Sequence, residues 1–69
     1  MNLQTQITDT ARRIRIALGA RGEMTPEELE LTVNASRRML DSALGWLACE
    51  GTVELFREDN FTKVRLKFI

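Results

Sequence analysis

Two groups of side chains in this 69-residue chain have the types and spacing to do chemistry. Arg37, Arg38, Asp41 and Ser42 fall close together in one run, and Lys63, Arg65 and Lys67 alternate in another. A guanidinium can bond a guanine edge through two parallel hydrogen bonds, and a row of cations can neutralise phosphates, so both groups point to recognition of a polyanion. Catalysis has much less to work with. The chain has no histidine and one cysteine, Cys49, which excludes an internal disulfide, the usual zinc sites and histidine-based acid–base chemistry. Cys49 has no base to activate it and reads as a small residue on a helix flank. No glycine-rich phosphate loop and no nucleophile–base pair is present, so the chain reads as no enzyme, with no cofactor and no evident small-molecule substrate.

The elements that must position the first group start with Ser36–Gly51. Ser36 is an N-cap type and Gly51 a C-cap type, and between them Leu40, Ala43, Leu44, Leu47 and Ala48 recur at helical spacing on one face. Arg37, Arg38, Asp41, Ser42 and Glu50 are left off that face. Upstream, Ile7, Ala11, Ile14, Ala17 and Leu18 share a face, which predicts a helix from about Thr8 to Ala20, capped by Thr8 or Asp9 and ended by Gly19 and Gly22. Glu23-Met24 then reads as a short strand. Thr25-Pro26-Glu27-Glu28 combines an N-cap threonine, a proline suited to the first helical position and a capping-box carboxylate, so a second helix should run from Pro26 to Thr32 with Leu29 as its anchor. Val33-Asn34-Ala35 leaves room only for a turn, which makes the second and third helices a helix-turn-helix.

The second group lies where the period changes from 3.6 to 2. Val53 and Leu55 alternate with Thr52, Glu54 and Phe56, and Val64, Leu66 and Phe68 alternate with Lys63, Arg65 and Lys67. A two-residue turn at Asp59-Asn60 sets Leu55 opposite Val64 and Val53 opposite Leu66, whereas a one-residue slip would oppose apolar and charged residues. Phe56, Phe61, Lys63, Arg65 and Lys67 then share the outer face, with Glu54 opposite Arg65. The fold class is α+β: a single winged helix-turn-helix domain over residues 1–69, with three helices, a C-terminal β-hairpin wing and a short strand between helices 1 and 2.

The block Ala43-Leu44-Gly45-Trp46-Leu47-Ala48-Cys49-Glu50-Gly51 resembles the signature Ala-Leu-Gly-Trp-Leu-Ala-x-Glu-Gly of a family of very small bacterial winged helix-turn-helix domains of unknown function. A looser similarity runs through Ile7, Ala11, Ile14, Leu18, Gly22-Glu23-Met24, Leu29 and Ser36. Ala35, Asp41 and Ser42 depart from it, standing where the family tends to be more apolar. The resemblance implies a compact winged-helix fold and a homodimer, and it supplies neither an enzymatic activity nor a cofactor.

In this fold the third helix enters the major groove and the wing meets the backbone, so Arg37, Arg38, Asp41, Ser42, Lys63, Arg65 and Lys67 are the expected contacts to double-stranded DNA in a transcription-regulator-like module. Against that, ten basic and ten acidic residues cancel, and Glu23, Glu27, Glu28 and Glu30 surround the second helix. The alternative is a protein-interaction or dimerisation module that keeps the shape without the DNA contact. A chain this short buries only about 60% of the surface its unfolded form exposes, and Leu3, Ile16 and Trp46 fall outside the main stripes, so a homodimer is expected. Trp46 itself reads first as core packing. With no signal-peptide pattern and nothing near the roughly 18 apolar residues of a membrane span, the expected location is cytoplasmic and off the membrane.

Overall fold

A computed structural model of the chain describes residues 2–67. Helix α1 spans Leu3–Arg21 and begins five residues earlier than the apolar stripe predicts, because Asn2 supplies the cap: its side-chain oxygen accepts from the Thr5 N–H at 2.8 Å. Neither Thr8 nor Asp9 caps. The Thr8 hydroxyl donates to the Thr5 carbonyl and Asp9 pairs with Arg12 and Arg13, so both are ordinary residues of the helix interior. At the other end the helix passes through Gly19 and stops at Gly22, whose φ of 87° lies in the region glycine enters without steric cost.

Helix α2 (Pro26–Val33) starts with the predicted reciprocal cap: the Glu28 N–H donates to the Thr25 hydroxyl at 3.1 Å and the Thr25 N–H to the Glu28 carboxylate at 2.9 Å. It runs one residue past the expected end and closes on Asn34, which takes the left-handed conformation (φ 54°). Helix α3 (Arg37–Glu50) is capped by Ser36, whose hydroxyl accepts from the Met39 N–H, and it ends at Gly51 (φ 77°).

The expected strand between α1 and α2 is reduced to one residue. Met24 exchanges two backbone hydrogen bonds with Val64, at 3.0 and 2.8 Å, and the pairing goes no further. The reason is local: the next hydrogen-bonding positions of an antiparallel ladder lie two residues away, where Pro26 has no N–H and the Gly22 N–H is already given to the Leu18 carbonyl. Strands β1 (Val53–Glu58) and β2 (Phe61–Leu66) form the antiparallel hairpin in the predicted register, Leu55 opposite Val64 and Val53 opposite Leu66. Asp59 and Asn60, at φ 52° and 70°, make the two-residue turn whose twist matches the strands. Phe68, expected to continue the alternation, lies outside the described residues, and Lys67 lies beyond the end of β2.

The three helical stripes close on one another. Ile14, Leu18, Leu29, Leu40 and Leu47 are almost wholly removed from water, as are Met24, Val53 and Val64 where the hairpin closes one side of the core. Three expectations about burial fail. Ala48 and Leu55 are exposed, because α3 and the hairpin diverge there and leave a groove between them. Trp46 is 42% exposed instead of buried, seated in a shallow recess with Thr8, Ala11, Arg12 and Arg15 of α1.

Candidate functional site

The seven residues expected to meet a duplex can now be placed one by one. Arg37 opens α3, but its guanidinium turns toward α2, where it lies 3.2 Å from Glu27 and 3.9 Å from Glu30, and it also bonds Asp41 one turn along its own helix at 3.1 Å. Its hydrogen bond to Asp41, then that to Glu27, raises Arg37 above its already high ordinary pKa. Arg37 and Asp41 are therefore occupied with each other and with the second helix. Ser42 donates its hydroxyl to the Arg38 carbonyl at 3.1 Å, an ordinary bond within a helix.

On the wing, Lys63 reaches Glu58 at 2.9 Å, and this hydrogen bond raises its pKa. Arg65 donates to Glu54 directly across the strands and approaches Glu23 at 3.6 Å. Its guanidinium also covers the Phe56 ring, 4.4 Å from the centroid, and Glu54 is the chief cause of its raised pKa. The outer face of the hairpin is thus the expected mixture of basic and aromatic groups, already matched by acids.

Among the described residues only Arg38 and Lys67 of the expected cations make no ion pair. The two regions are also separate. Arg65 and Lys67 line a recess at the end of α1 with Gly22 and Glu23, and none of its residues lines the groove that holds Arg37 and Asp41.

Sequence reasoning missed that groove. It has a volume of about 500 Å³ between α3 and the hairpin, with Leu44, Gly45 and Ala48 on the helix side, Leu55 and Phe61 on the hairpin side, and Pro26 at one end. The available signal was the mismatch between a stripe ending in Ala48 and a hairpin whose Leu55 needed cover. No helix among the described residues is long and apolar enough to cross a membrane.

The sequence matches the profile of a family described as "Winged helix-turn-helix domain (DUF2582)" over residues 1–66. The chain belongs to this family. Its three helices and two-stranded antiparallel hairpin agree with a winged-helix fold, and a solved relative agrees as well. The solution NMR structure of protein BT2368 from Bacteroides thetaiotaomicron superposes with a TM-score of 0.82 at 25% sequence identity, covering 91% of this chain and 77% of that one. A comparison with curated proteins finds no match. The family description gives the winged-helix domain a fold and assigns it no partner.

Proposed function

We propose that this winged-helix domain is a protein-interaction module that self-associates, its helix-turn-helix serving as a scaffold rather than as a DNA reader. One observation carries the reading: Arg37, Asp41, Lys63 and Arg65, four of the seven residues the fold would direct to a duplex, are paired within the chain. Each exposed pair contributes only about 0–1 kcal/mol, so its strength is not the obstacle. The obstacle is position. A phosphate displacing Glu27, Glu30 and Asp41 from Arg37 would still stand beside three carboxylates, against which Arg37 and Arg38 supply two positive charges.

Self-association rests on α1. Leu3 and Ile16 are 64% and 66% exposed on it, and its opening stretch from Leu3 to Thr8 carries no charge. A two-fold axis sets each residue near it against its own copy, so a charge-free, partly apolar segment is what such a contact needs.

DNA binding is the second reading, favoured by a different observation: Arg38 is exposed and without an ion pair at the start of α3, where it could approach a base edge. Titration against random duplex DNA at two salt concentrations separates the two. The interaction module predicts no saturable binding at low salt, and binding that weakens steeply with salt establishes the DNA reading.

A further inference from the structure

We infer that the groove between α3 and the hairpin receives a segment of a partner protein that carries neighbouring apolar side chains and an adjacent lysine or arginine. The inference deepens the interaction-module reading and rests on it.

The groove's walls are apolar and uncovered. Ala48 is exposed on the helix side and Leu55, on the hairpin side, is 44% exposed; Phe61, 63% exposed, borders the space beside the turn, although the strand register sets it on the opposite face of the hairpin from Leu55. Ile16 and Leu31 are more exposed still, but neither of them lines this groove. Here several apolar groups from two elements surround one space, which is the form of a site that takes side chains.

The floor has a feature that the chain's own packing does not require. Gly45 lies in the interior of α3, where glycine is disfavoured relative to alanine because it has more backbone freedom to lose. A Cβ built at Gly45 meets nothing within 4 Å, and its backbone is ordinary helix, so neither close packing nor a left-handed turn accounts for it. The missing side chain opens the groove to the helix backbone. A partner approaching there is the remaining physical use for it.

Charge decides the partner's chemistry. At the α2–α3 end of the groove, Glu27 and Asp41 of its lining and the neighbouring Glu30 all lie within 4.0 Å of the Arg37 guanidinium, so three carboxylates outnumber the two cations Arg37 and Arg38 by one. The hairpin rim opposite is formed by Asn60 and Thr62, with the Arg57 guanidinium donating to the Asn60 carbonyl at 3.3 Å, so the acidic part of the groove is its α2–α3 end. A cationic side chain next to the apolar ones complements the α2–α3 end, whereas a nucleic-acid phosphate is repelled there.

The test uses the full chain and a random peptide display library. Selected peptides should carry paired apolar residues with a lysine or arginine alongside, and one such peptide added to isotope-labelled protein should shift the amide signals of Gly45, Ala48, Leu55 and Phe61. Gly45→Trp fills the floor and should weaken that peptide by about tenfold or more, the scale for losing a packed contact at an interface centre. Glu27→Gln with Asp41→Asn should weaken it while leaving the melting curve in place. No enrichment, acidic peptides, or shifts confined to other surfaces overturn the groove assignment, and the last of these leaves the interaction-module reading standing. If Gly45→Trp does not fold, shift mapping on the unaltered protein decides. Shifts of the groove amides on adding duplex DNA in place of peptide overturn both proposals.

Discussion

Neighbouring positions on α3 should respond with opposite signs to the same small side chain. Leu44 is 4% exposed at the junction of helix and core, whereas Gly45 beside it faces open space. Leu44→Ala removes a buried isobutyl group and leaves a partial cavity, at a cost of about 3 kcal/mol. Gly45→Ala adds a methyl that touches nothing and restricts only the unfolded chain, a gain of about 0.5–1 kcal/mol. Unfolding entropy of about 2.1 cal/mol/K per residue, taken over 69 residues, makes each kcal/mol worth about 7 °C. Thermal denaturation followed by circular dichroism should therefore show Leu44→Ala melting about 20 °C below the parent and Gly45→Ala about 4–7 °C above it. A Leu44→Ala variant that melts with the parent would show that the α3 stripe is not core. A Gly45→Ala variant that melts lower would show that the groove floor is not open, and the argument built on it would fail.

Thr25→Ala removes the acceptor for the Glu28 N–H and should cost about 1 kcal/mol, read as a lower urea midpoint with an unchanged slope. The Glu28 carboxyl, held below the ordinary carboxylate range chiefly by the hydrogen bond from the Thr25 N–H, binds fewer protons folded than unfolded. Its contribution is therefore fully present above the unfolded value and is lost as pH falls through the lowered folded one; Glu28→Gln should flatten that acid limb of the stability–pH curve, and an unchanged limb would refute it. Sedimentation at structural concentrations should show a dimer that Leu3→Glu weakens, and a monomer under all conditions removes the self-association proposal.

How much of this was legible depends on the range of the signal. The caps at Thr25, Ser36 and Gly51 and the hairpin register each rest on a few neighbouring residues, and the structure has all of them. The start of α1 was misjudged because the apolar stripe begins at Ile7, while the cap is a single polar residue, Asn2, ahead of a polar stretch that looks like a tail. The short strand failed because its next ladder positions are spoken for, Pro26 having no N–H and the Gly22 N–H going to Leu18. The candidate site was legible only as a composition of charges. That Arg37 meets Glu27 and Glu30 depends on how α2 crosses α3, a tertiary angle that no local pattern encodes. The exposure of Trp46 and Leu55 depends on the same kind of fact, since helical or alternating period assigns a side to a residue but not whether anything covers that side.

The central claim, that the carboxylates around Arg37 disqualify the helix-turn-helix face for DNA, is tested most directly by removing them. Fluorescence anisotropy with a random duplex at low salt should show no saturable binding by the parent, and binding by the triple variant Glu27→Gln, Glu30→Gln, Asp41→Asn that weakens as salt is raised. A parent that binds as tightly as the triple variant and with the same salt dependence would contradict it, because Arg37 would then be as available with its carboxylates as without them.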